Sequence, residues 1–252
     1  MFHSTVESAP FYSDIQNDLI WNLFDTVSQS AIDDVIIVSV MKKTLVQCDF
    51  DDTVTYKDVS FLLLDNYAGI EWRDYLQKYQ DGKMSVGEFN RRCFSMVKAS
   101  RQEMLNYIKG KYRLRPGFPE FAHLCQHKGF RLVIVSNGLD FYIAEILKEL
   151  GLGDVEYHAA ETQFDPAGLK VRYVGADSTV LDKDFKLSWT KKFLNDNYRV
   201  VYVGDGNSDF VPAQQCDYIF ATASLLRHCQ RDNIDCTPFT DFHDIIKVIE
   251  TW

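Results

Sequence analysis

Three short apolar runs, each breaking off into a cluster of polar residues, limit what this chain can fold into more than any other feature. They are Thr44–Cys48 (TLVQC), Arg131–Val135 (RLVIV) and Arg199–Val203 (RVVYV). Their centres are nearly all apolar and rich in β-branched residues, which suits strands buried on both faces of a parallel sheet. The clusters that follow read DFDDT, SNG and GDGNSD. Open α/β sheets bind ligands in the crevice beyond the carboxyl ends of their strands. Three polar clusters at three strand ends therefore predict one shared site.

Helical periodicity fills the intervals. Phe118–Lys128 carries Phe118, Phe121, Ala122, Leu124 and Cys125 at helical spacing and is stopped by Gly129. Phe141–Leu150 reads the same way with Gly151 behind it, and Leu187–Leu194 precedes the third run. Strands alternating with helices predict an α/β fold with a doubly wound, Rossmann-like parallel sheet. Val155–Val180 alternates apolar and polar residues around Pro166-Ala167-Gly168, as a β-hairpin does, and Phe220 onward gives one more short strand and closing helices. The stretch from Val54 to Arg115 departs from this rhythm, since FLLLDNYAGI, EWRDYLQKY, EFNRRCFSMV and EMLNYIKG are all helix-like with no clear strand. The expected organisation is a core of residues 44–53 and 116–252, a helical cap inserted over 54–115, and an N-terminal extension over 1–43. That extension reads equally as a helix, a partner-binding arm or the product of an upstream start.

A chain of 252 residues is one generous domain or a domain with an insertion. Its formal net charge of −9 argues against nucleic acid or an anionic membrane as the main partner. The apolar run Val35–Met41 is too short to span a bilayer. The six cysteines are scattered without a CxxC pair, as reduced thiols of a cytoplasmic protein would be.

Asp49-Phe50-Asp51-Asp52-Thr53 sets two carboxylates at alternate positions past a strand, so Asp49 and Asp51 can face one reacting group. Like charges this close need a cation or a shared proton; the same string alone serves equally as an acidic helix-capping turn. Gly204-Asp205-Gly206-Asn207-Ser208-Asp209 adds hard oxygen ligands suited to Mg²⁺, on a backbone that glycines let approach a ligand. Ser136-Asn137-Gly138 offers a hydroxyl and backbone N–H groups ahead of a helix, a setting that binds anions.

Together these clusters resemble the haloacid dehalogenase superfamily, whose phosphatases carry DxDxT, a Ser or Thr, a Lys, and GDxxxD in that order. The matching residues are Asp49 through Thr53, Ser136, a downstream Lys, and Gly204-Asp205 through Asp209. Among Lys183, Lys186, Lys191 and Lys192, Lys186 is preferred because Phe185-Lys186-Leu187-Ser188 is similar to the start of the equivalent helix in methionine-salvage phosphatases. Ser136 through Tyr142 and the tail around Pro238–Phe242 resemble the subgroup of phosphoserine phosphatase and the 2-hydroxy-3-keto-5-methylthiopentenyl-1-phosphate phosphatase of methionine salvage. Two departures stand out: Asp52 replaces the usual Gly, and the Cys-rich segment of one methionine-salvage branch is absent.

The resemblance implies a Mg²⁺-dependent phosphatase acting on a small-molecule phosphomonoester. Asp49 would be the nucleophile and Asp51 the general acid and base, while Ser136 and Lys186 would hold phosphoryl oxygens. Asp52, Thr53, Asn137 and Gly138 would contribute to phosphate binding. Mg²⁺ would be held by Asp49, the Asp51 carbonyl and Asp205, with Asp209 ligating or organising water. Such local cations answer the difficulty of an acidic chain handling an anion. The cap residues Tyr56, Phe61, Trp72, Arg91 and Arg92 are candidates for touching the leaving group. A phosphotransferase, or a silent module binding Mg²⁺ and a phosphorylated metabolite, remain the alternatives.

Overall fold

The computed structural model describes residues 42–252, so the expected extension falls, but for its last two residues, outside the described residues. Eight strands form one sheet: β1 (Thr44–Cys48), β2 (Arg131–Leu139), β3 (Glu156–Gln163), β4 (Lys170–Val174), β5 (Val180–Leu181), β6 (Arg199–Gly204), β7 (Tyr218–Ala221) and β8 (Thr237–Pro238). Their order is β5-β4-β3-β2-β1-β6-β7-β8. The neighbours β3, β2, β1, β6, β7 and β8 pair in parallel. β4 and β5 extend the sheet antiparallel, so it is mixed rather than wholly parallel. The turn at Pro166-Ala167-Gly168 is the physical reason, because a short hairpin can only reverse the chain. Two short strands, β7 and β8, stand where the sequence suggested one.

β1 lies between β2 and β6, with Leu45, Val46 and Cys48 fully buried. Burying a Val or Leu side chain contributes about 1.5–3 kcal/mol, which explains why the three apolar runs meet at the centre. The order of strand addition reverses at β1: the chain builds outward through β2 and β3 on one side, then returns to add β6 and β7 on the other. That switch point is where the carboxyl ends of β1, β2 and β6 open a crevice. Helices α5 (Phe118–His127), α6 (Asp140–Glu149), α7 (Phe185–Asn195), α8 (Asn207–Ala213), α9 (Ala223–Arg231) and α10 (Phe242–Ile249) belong to this core region. Among the described residues, no helix is long and apolar enough to cross a membrane. All six cysteines are free.

Between β1 and α5 lie four helices, α1 (Val59–Tyr67), α2 (Trp72–Gln80), α3 (Val86–Phe94) and α4 (Arg101–Ile108). Local chemistry starts three of them: Asp58 accepts from Phe61 N–H, Ser85 from Glu88 N–H, and Ser100 with Glu103 forms a capping box. The segment's two ends run side by side, Tyr56 N–H donating to the Arg113 carbonyl and Arg115 N–H to the Val54 carbonyl. This antiparallel stem, with Thr55 bridged to Leu114, is not helical as the sequence suggested. The far side docks on the hairpin. Gly87 N–H donates to the Asp182 carbonyl, Arg91 pairs with Asp182 at 2.6 Å, and Leu169 N–H reaches the Val97 carbonyl.

Arg115 locks the stem to the core. Its guanidinium donates to the carbonyls of Asp52, Thr53 and Thr240 at 2.6–2.8 Å while only 9% exposed. Charge-assisted hydrogen bonds contribute about 1.5–3 kcal/mol each, and a buried carbonyl left unpaired is costly. Arg115→Met is therefore expected to lower unfolding stability by about 2–4 kcal/mol. Urea denaturation checks this; a midpoint unchanged from wild type would show that the three carbonyls find other partners.

Candidate active site

A cavity of about 250 Å³ opens at the switch point, and Asp49, Asp51, Asp52, Ser136, Asn137, Gly138, Lys186 and Asp205 all line it. The carboxyl ends of β1, β2 and β6 bring these residues together across more than 150 positions of sequence. Thr53 and Asp209 do not line the cavity. Thr53 is fully buried, and its hydroxyl donates to Asp205 Oδ1 at 2.9 Å. Its hydroxyl is committed to a carboxylate and does not face the cavity.

Lys186, 3% exposed at the start of α7, sits 2.7 Å from Asp49 Oδ2 and 2.6 Å from Asp209 Oδ1. Burial alone would lower its pKa, but Asp209 and Asp49 overcome this and hold it above the ordinary lysine value. Lys183, Lys191 and Lys192 are exposed. Two residues that the sequence did not single out place the Lys186 backbone. Gln47, in the centre of β1, donates to the Lys186 carbonyl at 3.3 Å, and Thr190 donates to Gln47 Oε1 at 2.7 Å.

Asp209 is saturated. Its Oδ1 accepts from Lys186 and from Tyr202 OH at 2.8 Å, and its Oδ2 accepts the N–H groups of Asp205 and Gly206 at 3.0 and 2.8 Å. A carboxylate offers about four lone-pair positions, so all are filled. These bonds favour a holding role for Asp209, while one of its oxygens lies within 4.8 Å of one from each of Asp49 and Asp205. Asp49 and Asp205 keep free oxygen lone pairs, and among the described residues no protein donor reaches the Asp51 carbonyl.

This donor set fits a hard divalent cation. Asp49, Asp205 and Asp209 place three carboxylates around the single ammonium of Lys186, and all the free ligand atoms are oxygens. Burial pushes Asp49 up to about 8, Lys186 pulling against it, and pushes Asp205 up to about 7 with Asp209 adding to the rise. Positive charge is what the cluster lacks.

Asp51 has different partners. Its Oδ1 accepts from Val59 N–H at 2.8 Å and its Oδ2 from Tyr142 OH at 2.5 Å. Burial raises it to about 7, opposed first by the Tyr142 hydrogen bond. Gly138 is required here, because a Cβ on it would clash with Tyr142 OH and Asp51 Oδ2. Its N–H donates to Ser136 Oγ at 3.0 Å, and this local bond accompanies the slip in β2–β3 register after Val135. The Asn137 carbonyl is gripped by Asn90 and Tyr173. Asp52 stands in the left-handed region at φ 58°, a conformation that Asp tolerates and Gly prefers. Its backbone N–H has no protein acceptor among the described residues.

The helical segment supplies most of the remaining wall, chiefly Asp58, Phe61, Leu76, Tyr79, Val86 and Phe89, and Gly206, Asn207, Ser208 and Ser224 add to it from the core. Of its five residues named from sequence, only Phe61 lines the cavity. Trp72 is buried and packs on Phe61 with ring centroids 5.3 Å apart. Arg91 is taken by Asp182 and Arg92 by Glu88, while Tyr56 lies against the Arg115 guanidinium. Among the described residues lining the cavity, Lys186 is the one cation.

The description haloacid dehalogenase-like hydrolase matches residues 46–211. The 2-hydroxy-3-keto-5-methylthiopentenyl-1-phosphate phosphatase of Geobacillus thermodenitrificans is 32% identical over 83% of this chain and 97% of its own. The protein of the same name from Brevibacillus brevis is 27% identical over 83% of this chain and 96% of its own. A phosphoserine phosphatase solved as a phospho-aspartyl intermediate analogue shares the fold, with TM-score 0.63 and 21% identity over 82% of this chain and 99% of that one.

The raised carboxyls make stability depend on pH. Asp49 and Asp205 bind protons more tightly when folded, so their contribution is full below the ordinary carboxyl value of 3.8 and is lost as pH rises toward about 7–8. Metal-free protein is expected to lose thermal stability between about pH 5 and pH 8. Mg²⁺ should restore about 2.7 kcal/mol once free ion reaches about a hundred times Kd, with the larger shift at the higher pH. Melting curves with Mg²⁺ or EDTA check this, and an equal shift at both pH values would contradict it.

Proposed function

Because this chain belongs to the haloacid dehalogenase-like hydrolase family, we propose that it hydrolyses a small phosphomonoester through a phosphorylated Asp49. One observation carries the reading: Asp49 and Asp51 line one cavity, but only Asp49 is paired with an ammonium. Burial raises the Asp49 carboxyl to about 8, and Lys186 pulls against that rise, so that with a divalent cation added at Asp49 the ionised, nucleophilic form would prevail. Asp51 has no cation of its own and sits where a carboxyl gains and loses a proton readily.

Asp49 attacks phosphorus and displaces the alcohol, with Asp51 giving the departing oxygen its proton. Asp51 then takes a proton from the water that attacks the acyl phosphate, releasing inorganic phosphate and free Asp49. Ser136 is poised to donate, because its oxygen already accepts Gly138 N–H and its own hydrogen is left for a phosphoryl oxygen. Lys186 and the Asp52 N–H offer further donors. Mg²⁺, held by Asp49, Asp205 and the Asp51 carbonyl, would neutralise charge on the transferring phosphoryl group. Asp209 and Thr53 keep Asp205 in place for it.

The wall favours a leaving group that is uncharged. Phe61, Leu76, Val86 and Phe89 are apolar, Asp58 is acidic, the polar residues such as Gln80, Asn90 and Ser208 are neutral, and no cation there would meet a carboxylate. Phosphoserine carries such a carboxylate, so an uncharged chain like that of the 2-hydroxy-3-keto-5-methylthiopentenyl-1-phosphate named for the relatives is the better fit.

The purified full chain is expected to hydrolyse p-nitrophenyl phosphate with Mg²⁺, and Asp49→Asn to retain less than about a thousandth of that activity. Among alkyl esters, kcat/KM should favour neutral phosphates over phosphoserine by about tenfold or more. Metal binding without turnover on a broad ester panel would instead identify a silent binding module. Phosphate passing to an added alcohol in preference to water would identify a phosphotransferase.

A further inference from the structure

Tyr142 stands outside the roles assigned so far, yet its hydroxyl reaches the residue on which proton transfer depends. It lies on α6, is fully buried, and donates to Asp51 Oδ2. The same hydroxyl is 2.9 Å from Ser60 Oγ, on the second residue of α1. Asp51 Oδ1 is meanwhile held by Val59 N–H, from the first residue of that helix. Both oxygens of one carboxyl are thus gripped, one from the helical segment and the other from the core.

We propose that Tyr142, backed by Ser60, is a positioning residue that holds the Asp51 carboxyl for proton delivery to the leaving group. The proposal rests on the phosphatase reading above. The terminal torsion of an aspartate is broad and roughly two-fold, so an untethered carboxyl would spend much of its time misaligned. Effective proton transfer needs the acid within hydrogen-bond reach of the departing oxygen. The Tyr142 ring is a rigid anchor, set against Phe141 and Phe50 with centroids 5.6 and 6.4 Å away. Gly138 leaves the space that its hydroxyl and Asp51 Oδ2 share.

The donor on Oδ2 being a hydroxyl has a chemical consequence. A hydroxyl both donates and accepts. With Asp51 as carboxylate, Ser60 donates to Tyr142 and Tyr142 donates to Asp51. When Asp51 carries its proton on Oδ2, both rotors can reverse so that Tyr142 accepts it in waiting, and as the proton turns to the departing oxygen Tyr142 donates to the new carboxylate again. A phenylalanine would hold the ring and lose this adaptability. The α1 contacts add a coupling, since Val59 and Ser60 reach Asp51 and Tyr142 only with the helical segment docked as it is here.

The test uses two esters that differ in their need for a proton. An alkoxide must be protonated as it leaves, whereas p-nitrophenolate departs unaided, and kcat/KM reports the steps through departure. In Tyr142→Phe the ratio of kcat/KM for the fastest alkyl phosphate to that for p-nitrophenyl phosphate should fall about tenfold or more. Ser60→Ala should lower the same ratio by a smaller factor, and it supplies the reading if Tyr142→Phe does not fold. Equal slowing on both esters would show Tyr142 to be merely structural, and an unchanged ratio in the folded variants overturns the proposal. Should wild type with Mg²⁺ turn over neither ester, while Asp49→Asn behaves identically, the phosphatase reading falls and this inference with it.

Discussion

The ammonium of Lys186, enclosed between Asp49 and Asp209, is the interaction on which the rest of the site depends. Removing one partner from a buried ion pair costs about 3–5 kcal/mol, because the charge left behind has no water to turn to. Here the consequences spread through the backbone. Asp209 can accept two N–H groups from the β6–α8 turn because its other oxygen is committed to Lys186 and Tyr202. Those N–H bonds set the backbone of Asp205, and Thr53 then fixes its side chain. Gln47 and Thr190 hold the Lys186 backbone from β1 and α7. One buried cation therefore organises β1, the start of α7 and the turn into α8 around Asp49.

A single ammonium among three carboxylates is also an incomplete arrangement. The cluster stays electrically unbalanced, and its free atoms are oxygens directed at a cavity. A divalent cation and a phosphate would complete it from opposite sides, one supplying charge to the acids and the other accepting hydrogen bonds. This is how a chain of net charge −9 can handle an anion. The helical segment closes the arrangement. Its docking on the β4–β5 hairpin sets an apolar wall over the carboxylates, which strengthens electrostatic effects by limiting water.

Several side chains divide along the same line. Arg91 and Arg92 carry charges that suit a substrate, but each is spent in a surface ion pair. Gln47, Asn90 and Tyr173 have no motif to mark them, and Tyr142 only closes the string that begins at Ser136, yet they hold Asp51, Lys186 and the Asn137 carbonyl. Asp52 shows how close the two levels come. Its departure from Gly is visible in the sequence, while the positive φ that makes Gly usual there is a property of the folded loop.

Apolar runs and polar clusters were enough to read the α/β architecture and the meeting of Asp49, Asp51, Ser136 and Asp205, because strand periodicity and motif spacing are local properties of the chain. Lys186 was picked out only by the resemblance of its helix start to that of methionine-salvage phosphatases. The antiparallel edge was half legible: the Pro-Ala-Gly turn announced a hairpin, but not its attachment to the main sheet. What folding alone decided was which groups each acid meets. Whether Asp209 is free to ligate or already saturated, and whether Thr53 faces a ligand or Asp205, depends on partners far away in sequence. The DFDDT string remains the origin of the site, but long-range packing sets the role of each of its acids, since burial and hydrogen-bond partners are not encoded at any single position.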